Sequence, residues 1–258
     1  RPLFYLPTIL LPAAQTDVPL VERIFSQIGE ACQQLGIVVA GGHSEITPTV
    51  TQPVIAGTLL GVVPRTQMVT GRGAQVGDLV LMAGMAPMEG ASIIARERRQ
   101  VLLDRGWDQA ELDQAANYLY QPGISVLRPA LLAADQGLVT AMHDPTEGGM
   151  ATGLVELAMA AEVGLVIDLD ALLLSDLAVR LCSAFELDPL GVIASGALLA
   201  TAPAAKAATL LALWQAQGWP VAQVGRVVEQ QAGISAYRQG QPAPFPHFAT
   251  DEITKLWV

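Results

Sequence analysis

Short apolar runs alternate with longer helical stretches along this chain of 258 residues, and glycine or proline punctuates the changes. Leu3–Pro12 reads as a strand, with Pro7 forcing an edge position or an irregularity. Asp17 to Leu35 reads as a helix. Asp17 suits the N-cap, Pro19 lies near the first helical position, Gly36 suits the C-cap, and Val21, Ile24, Phe25 and Ile28 recur at helical spacing. Ile37–Ala40 is expected to be a buried strand running into Gly41-Gly42. Pro53–Val63 is a further strand with Gly57 at a bulge, and Pro64-Arg65 marks a domain boundary. Downstream, strands are expected in GAQVGDLVLMAG, LVIDLD, ASGALLAT and VAQVGRVV, and LVTAMHDPTEGG reads as strand-to-loop. Helices are expected from about Gly90 to Tyr120, over Val126–Asp135, over MATGLVELAMAAEV with Gly164 as its cap, and over AAKAATLLALWQAQG. The tail after Gly233 is proline-rich and then acidic. This is an alternating α/β (α+β) pattern with no internal repeat and no low-complexity linker.

Composition narrows the function. A hydrophobic fraction of 52% with 15% charged residues supports a sizeable core and excludes disorder of the whole. A formal net charge of −10 and an aromatic content of 5% argue against binding a nucleic-acid polymer. Cys32 and Cys182 are too few for a disulfide framework or a four-cysteine zinc site, and each sits in an apolar helical context as a small buried hydrophobe. The apolar N-terminus is interrupted by two prolines, with no small-residue cleavage site after it. The most membrane-like stretch, Val192–Trp214, contains Ser195, Gly196, Pro203 and Lys206 and reads as strand, turn and helix. A cytoplasmic, membrane-free protein is expected.

Three glycine-bearing loops follow apolar strands, where binding groups commonly reside. The first is Gly41-Gly42-His43-Ser44-Glu45, which joins two glycines to a base, a hydroxyl and a carboxylate. The second is His143-Asp144-Pro145-Thr146-Glu147-Gly148-Gly149, which opens a helix whose first N–H groups suit an anion. Asp144 and Glu147 would repel a phosphate unless Mg²⁺ lay between them. The third runs from Met82 to Gly90 and places Glu89 at a helix start; its methionines read as core filler. A zinc or iron site would require the loops of His43, Glu45, His143, Asp144 and Glu147 to converge, and nothing in their spacing shows this. No Walker-A loop is present. The only lysines are Lys206 and Lys255, which leaves backbone N–H groups, Mg²⁺ or arginines such as Arg72 and Arg96 for phosphate.

These motifs resemble those of the superfamily of AIR synthase, the hydrogenase-maturation dehydratase HypE and selenophosphate synthetase. GGHSEITP resembles its GGDT-type loops, and MHDPTEGGMATGLVELAMAAEVGLVIDLD closely resembles its DPTRGGLAT segment. LCSAFELDPLGVIASGALLAT is similar to a further stretch. The resemblance runs from about Arg1 to Val228 and is best to AIR synthase-related proteins. It implies a two-domain fold: residues 1–64 as a partial N-terminal domain, 65–238 as the C-terminal domain and 239–258 as a tail. It implies pairing of N-terminal sheets in a homodimer, and ATP with Mg²⁺ as cofactors. By position His43 matches the acidic residue of the GGDT-type loop, Asp144 the acid of DPTRGG and Glu89 a polar loop residue; His43, Glu45 and Glu89 are then expected near the chemistry, and Gly41, Gly42, Ser44, Asp144, Thr146, Gly148 and Gly149 near the nucleotide. Asp144 and Glu147 are expected to hold the metal. The implied chemistry is phosphorylation of a carbonyl or amide oxygen of a small substrate.

Three departures stand out. Family members carry a glycine-rich segment and an acidic pair ahead of the first strand, so the N-terminal domain is expected to be truncated, as a fragment or a shortened relative. The chain ends Lys255-Leu256-Trp257-Val258 without the terminal cysteine of the maturation dehydratase, and Glu147 stands where that enzyme has arginine. A non-catalytic homodimeric maturation scaffold and a metal-dependent hydrolase using His43 and His143 are the alternatives.

Overall fold

The computed structural model describes residues 1–257. The chain divides into two units, Arg1–Met68 and the remainder from Val69.

The first unit holds β1 (Pro2–Pro12), α1 (Val18–Leu35), β2 (Val38–Val39), β3 (His43–Thr47) and β4 (Val54–Gly61). β1 is central rather than at an edge. It pairs in parallel with β2 and then β3 on one side, and antiparallel with β4 on the other. Pro7 is tolerated there because it faces the gap between β2 and β3. Its carbonyl points at Gly42, where an added Cβ would lie 2.3 Å from the Pro7 oxygen, and its absent N–H points the same way. α1 starts and stops where its caps dictate. The Asp17 side chain accepts from the Leu20 N–H at 2.8 Å, and Gly36 takes φ +67°.

Two strand expectations change. β2 is only two residues long and exposed, not buried. Gly57 is not a bulge: it pairs regularly with Pro7, and the Tyr5 ring lies across it so closely that a Cβ would sit 2.4 Å from Cε2.

The second unit contains β5 (Leu79–Ala83), α2 (Met88–Glu97), α3 (Arg99–Asp104), α4 (Gln109–Ala116), α5 (Leu127–Asp135), β6 (Ala141–His143) and α6 (Gly149–Ala161). It continues with β7 (Gly164–Asp168), α7 (Asp176–Ser183), β8 (Leu198–Ala202), α8 (Ala204–Ala216), β9 (Val221–Val228), β10 (Ile234–Arg238) and β11 (Gln241–Ala243). The strands form one sheet in the order β11-β10-β7-β9-β5-β8-β6, antiparallel except for β10 with β7. α6 ends on Glu162 at φ +56°, not on Gly164, which begins β7 where a Cβ would meet the Glu229 and Gly233 carbonyls at 2.6 Å. Composition hid β10, β11 and a last helical turn at Glu252–Trp257 in the stretch after Gly233.

The sheet explains the apolar runs. One face packs Val80, Met82, Leu165, Ile167, Leu199 and Val224 against Met150, Leu154 and Leu157 of α6. The opposite face packs Leu81, Ala83, Leu198 and Ala200 against Ala133 of α5 and Leu210 and Trp214 of α8. β5 and β8 are covered on both faces; β5 reads as unbroken apolar sequence, and β8 is interrupted only by the buried Thr201. A third cluster joins α2, α4 and α7 to Ile253 and Leu256 of the last turn. Cys182 belongs to it, and burial, helped by nearby Asp188, pushes its thiol up to about 12, the behaviour of an inert core residue. No helix among the described residues is long and apolar enough to cross a membrane.

Candidate functional site

In the first unit the glycine loop leads directly into β3, so His43-Ser44-Glu45 is strand rather than loop. Alternation then puts His43 and Glu45 on one face of the sheet, in register with Thr8 and Leu10 of β1, and Ser44 on the other. All three are exposed. His43 Nε2 lies 3.4 Å from Glu45 Oε2, a contact that orients the imidazole and supplies a carboxylate for its protonated form. Gly42, at φ +138°, has no room for a side chain because the Pro7 carbonyl oxygen lies 2.3 Å from where its Cβ would be. Gly41 is exposed and has only a distant contact at its Cβ position, 4.0 Å from Leu6 Cδ2.

In the second unit the loop from β6 to α6 is held from beneath. Pro145 is buried on Gly153 of α6, where a Cβ would come within 2.8 Å of the proline ring. The Thr146 carbonyl accepts from the N–H groups of Gly149 at 3.0 Å and Ala194 at 3.2 Å. Gly148 and Gly149 both take positive φ, +76° and +69°. A Cβ on Gly149 would lie 2.5 Å from the Leu190 carbonyl oxygen and 2.7 Å from that of Val192. These anchors leave Asp144 and Glu147 exposed on the outside of the turn. His143 turns away to Glu156 of α6, with Nε2 to Oε2 at 2.9 Å.

The segment Leu190–Ala194 also receives α2. The Gly90 N–H donates to the Ile193 carbonyl at 3.2 Å, and a Cβ on Gly90 would strike Val192 Cγ1 at 2.2 Å. The second and third loops therefore converge on one strip of backbone, with Glu89 half-buried in the first turn of α2. A carboxylate in that position complements the helix dipole.

One expectation about this loop changes. The N–H groups of Gly148 and Gly149 are not open to a phosphate. That of Gly149 donates to Thr146, and that of Gly148 donates at 2.7 Å to Oδ2 of Asp251. Oδ1 of Asp251 accepts from the N–H groups of Ile193 at 3.3 Å and Ile253 at 2.8 Å. One tail carboxylate thus ties together the head of α6, the 190–194 strip and the final turn. Sequence reading missed it, although Asp251 beside Glu252, just before the apolar Ile253, carried a capping signature. Glu252 reinforces the arrangement by accepting from the Asp188 N–H at 3.1 Å and pairing with Lys255 at 2.6 Å.

Among the described residues no group of three or more His, Cys, Asp and Glu side chains is placed to hold a metal ion. Each of the two imidazoles lies against a glutamate, His43 on Glu45 and His143 on Glu156.

Both units match known proteins. Residues 1–63 match the AIR synthase related protein N-terminal domain, and residues 75–237 match the corresponding C-terminal domain. The carbamoyl dehydratase HypE of Rhodobacter capsulatus is 31% identical over 238 residues, covering 90% of this chain and 66% of the relative, so the chain spans just under two thirds of that protein's length. A crystal structure of the hydrogenase maturation protein HypE in complex with ATP superposes with a TM-score of 0.75 at 20% identity, covering 98% of this chain and 75% of that one. Thiamine monophosphate kinase from Aquifex aeolicus gives a TM-score of 0.67 at 22% identity, covering 94% and 75%. At these identities the two structures establish a shared fold. By the match of both domains along its length, the chain belongs to the AIR synthase related protein family.

Proposed function

We propose that the chain carries the nucleotide-binding part of an ATP- and Mg²⁺-dependent enzyme that activates a carbonyl or amide oxygen of a small substrate by phosphorylation. The observation that carries this reading is the convergence of the Asp144–Gly149 loop and the Glu89–Gly90 turn on Leu190–Ala194, with two carboxylates left exposed. The donor set fits the ion. Asp144, Glu147 and the Thr146 hydroxyl are hard oxygen donors, the kind Mg²⁺ takes alongside phosphate oxygens. When bound, Mg–ATP supplies the phosphoryl group and the charge that offsets the carboxylates.

The protein's own part is positional. Asp144 and Glu147 hold the ion, and Gly148 and Gly149 set the turn that presents them. Glu89 adds a carboxylate at the head of α2. In the first unit Gly41, Gly42 and Ser44 shape the entry to β3, and His43, oriented by Glu45, donates or accepts a proton at the substrate. The family's solved members include a protein bound to ATP, which supports the nucleotide assignment.

Calorimetric titration with Mg–ATP tests the reading. Saturable binding is expected, weakened at least about tenfold in Asp144→Asn and Glu147→Gln, which each remove a full charge from the ion. Absence of binding by the wild-type chain at millimolar nucleotide would contradict it.

A homodimer is part of the proposal and is also what the non-catalytic scaffold reading would use. Among the described residues β4 pairs only with β1, all eight of its residues are exposed, and VIAGTLLG carries no charge or proline to block a further strand. Leu59 and Leu60 are 58% and 50% exposed. An uncharged apolar edge of this length calls for a partner, and a second copy of the same sheet is the simplest one. Light scattering after size exclusion should show a dimer for the wild type and a monomer for Ile55→Lys/Leu59→Lys. A monomeric wild type at micromolar concentration would remove the dimer.

A further inference from the structure

We infer that the uncovered part of the second unit's sheet is a binding site for a small zwitterion, an α-amino acid with an apolar body. α5 and α8 cover the sheet face over β5 and β8, but the same face is bare over β7 and β10 and much of β9. A recess of about 450 Å³ lies there, a volume in the range of small-molecule sites. Leu79, Val166, Tyr237 and Gly240 line it, together with the polar Asp168, Gln223 and Arg226.

The recess is built by an irregularity in β9. Gln223 and Arg226 are three residues apart and would face opposite sides of a regular strand. The register shifts opposite Val80/Leu81, so that Arg226 pairs with Leu79 and Gln223 with Leu81, two residues of β5 on one face. The extra residue turns both polar side chains onto the bare face, the re-aiming for which bulges are used beside binding sites. Val224 and Val227, also three apart, both reach the core on the other side.

The charges define the ligand. Arg226 stands between apolar neighbours, Leu79 on one flank and Val166 on the other, and no carboxylate among the described residues lies within ion-pair distance of it. Asp168 is two residues beyond Val166 on β7, which sets it diagonal to Arg226 at roughly 7–8 Å between Cα atoms. One Asp168 oxygen accepts from the Asp170 N–H at 3.1 Å. A cation and an anion at this spacing, over an apolar floor and beside an aromatic ring, suit a molecule with a carboxylate at one end of a short polar head and an ammonium at the other. Arg226 takes the carboxylate, with the Tyr237 hydroxyl and Gln223 amide as further donors, and Asp168 takes the ammonium. None of these residues belongs to the proposed nucleotide loop, so the inference stands apart from that reading.

The test is a titration of the ¹⁵N-labelled chain with a panel of free L-amino acids, followed by amide shifts. At least one apolar member is expected to shift Val166, Gly225 and Gly240 saturably in the millimolar range or below. Its N-acetyl and carboxamide derivatives, which each lose one charge, are expected to bind at least about tenfold more weakly, as are Arg226→Gln and Asp168→Asn. All these positions are on the exposed face, so thermal melts of the variants should match the wild type. Absence of shifts from every member of the panel overturns the inference. So does binding that survives Arg226→Gln in a folded variant, or equal binding of the N-acetyl derivative.

Discussion

Gly149→Ala is expected to lower the stability of the second unit by about 3 kcal/mol, combining backbone strain with overlap in a packed site. The residue sits at φ +69°, and the new methyl would press on two carbonyl oxygens, those of Leu190 at 2.5 Å and Val192 at 2.7 Å. Both obstacles are main chain, so no side-chain rotation relieves them. For a unit of this size the loss should appear as a drop in melting temperature of about 6–12 °C. Gly137→Ala is the matched comparison. It has a similar φ of +60° with nothing within 4 Å of the added Cβ, so it isolates the backbone preference, worth about 1–2 kcal/mol. Equal melting-point losses in the two variants would show that the contact of the α6 head with Leu190 and Val192 is not as tight as described.

Asp251→Ala should be the second large effect, again about 3 kcal/mol. It leaves three N–H donors on Gly148, Ile193 and Ile253 without their charged acceptor. Hydrogen bonds to an ionised partner are the stronger kind, and these three come from separate segments, so the loss releases a junction rather than one cap. Asp251→Asn retains an acceptor oxygen and should lose about half as much. Hydrogen exchange gives the local readout: the amides of Gly148 and Ile193 should lose protection before those of β5 and β8 do. Unchanged protection at Gly148 in a folded Asp251→Ala would contradict the assigned contact.

Legibility in the sequence followed the range of the interactions involved. α1 could be read because its determinants are local: Asp17, Pro19 and Gly36 lie within or beside the helix they bound. β5 and β8 could be read because burial on both faces leaves an apolar run. The loop at Asp144–Gly149 was marked as functional by its residue types, and its neighbour at Glu89–Gly90 by its place before a helix. What the sequence could not show was set by distant chain. Gly57 and Gly42 looked like loop or bulge glycines, but their reasons are the Tyr5 ring and the Pro7 carbonyl on another strand. The Gly148 N–H at the head of α6 looked open because its acceptor, Asp251, lies 103 residues further on. The bulge that brings Gln223 and Arg226 to one face is a property of pairing with β5, and VAQVGRVV alone gives no sign of it beyond Gly225.

Those distant contacts also refine how the proposed site would work. With Gly148 and Gly149 engaged, phosphate has to be met through an ion on Asp144 and Glu147 rather than by bare helix N–H groups. Nucleotide affinity should therefore depend on Mg²⁺ more steeply than it would at an unoccupied helix start.

The most direct measurement is accordingly a paired calorimetric titration with ATP, once with Mg²⁺ in excess and once with the ion chelated. The account predicts saturable binding in the first case, loss of it in the second, and weakening in the first when Asp144→Asn or Glu147→Gln is used. Binding that persists without Mg²⁺, or that ignores both substitutions, would contradict it.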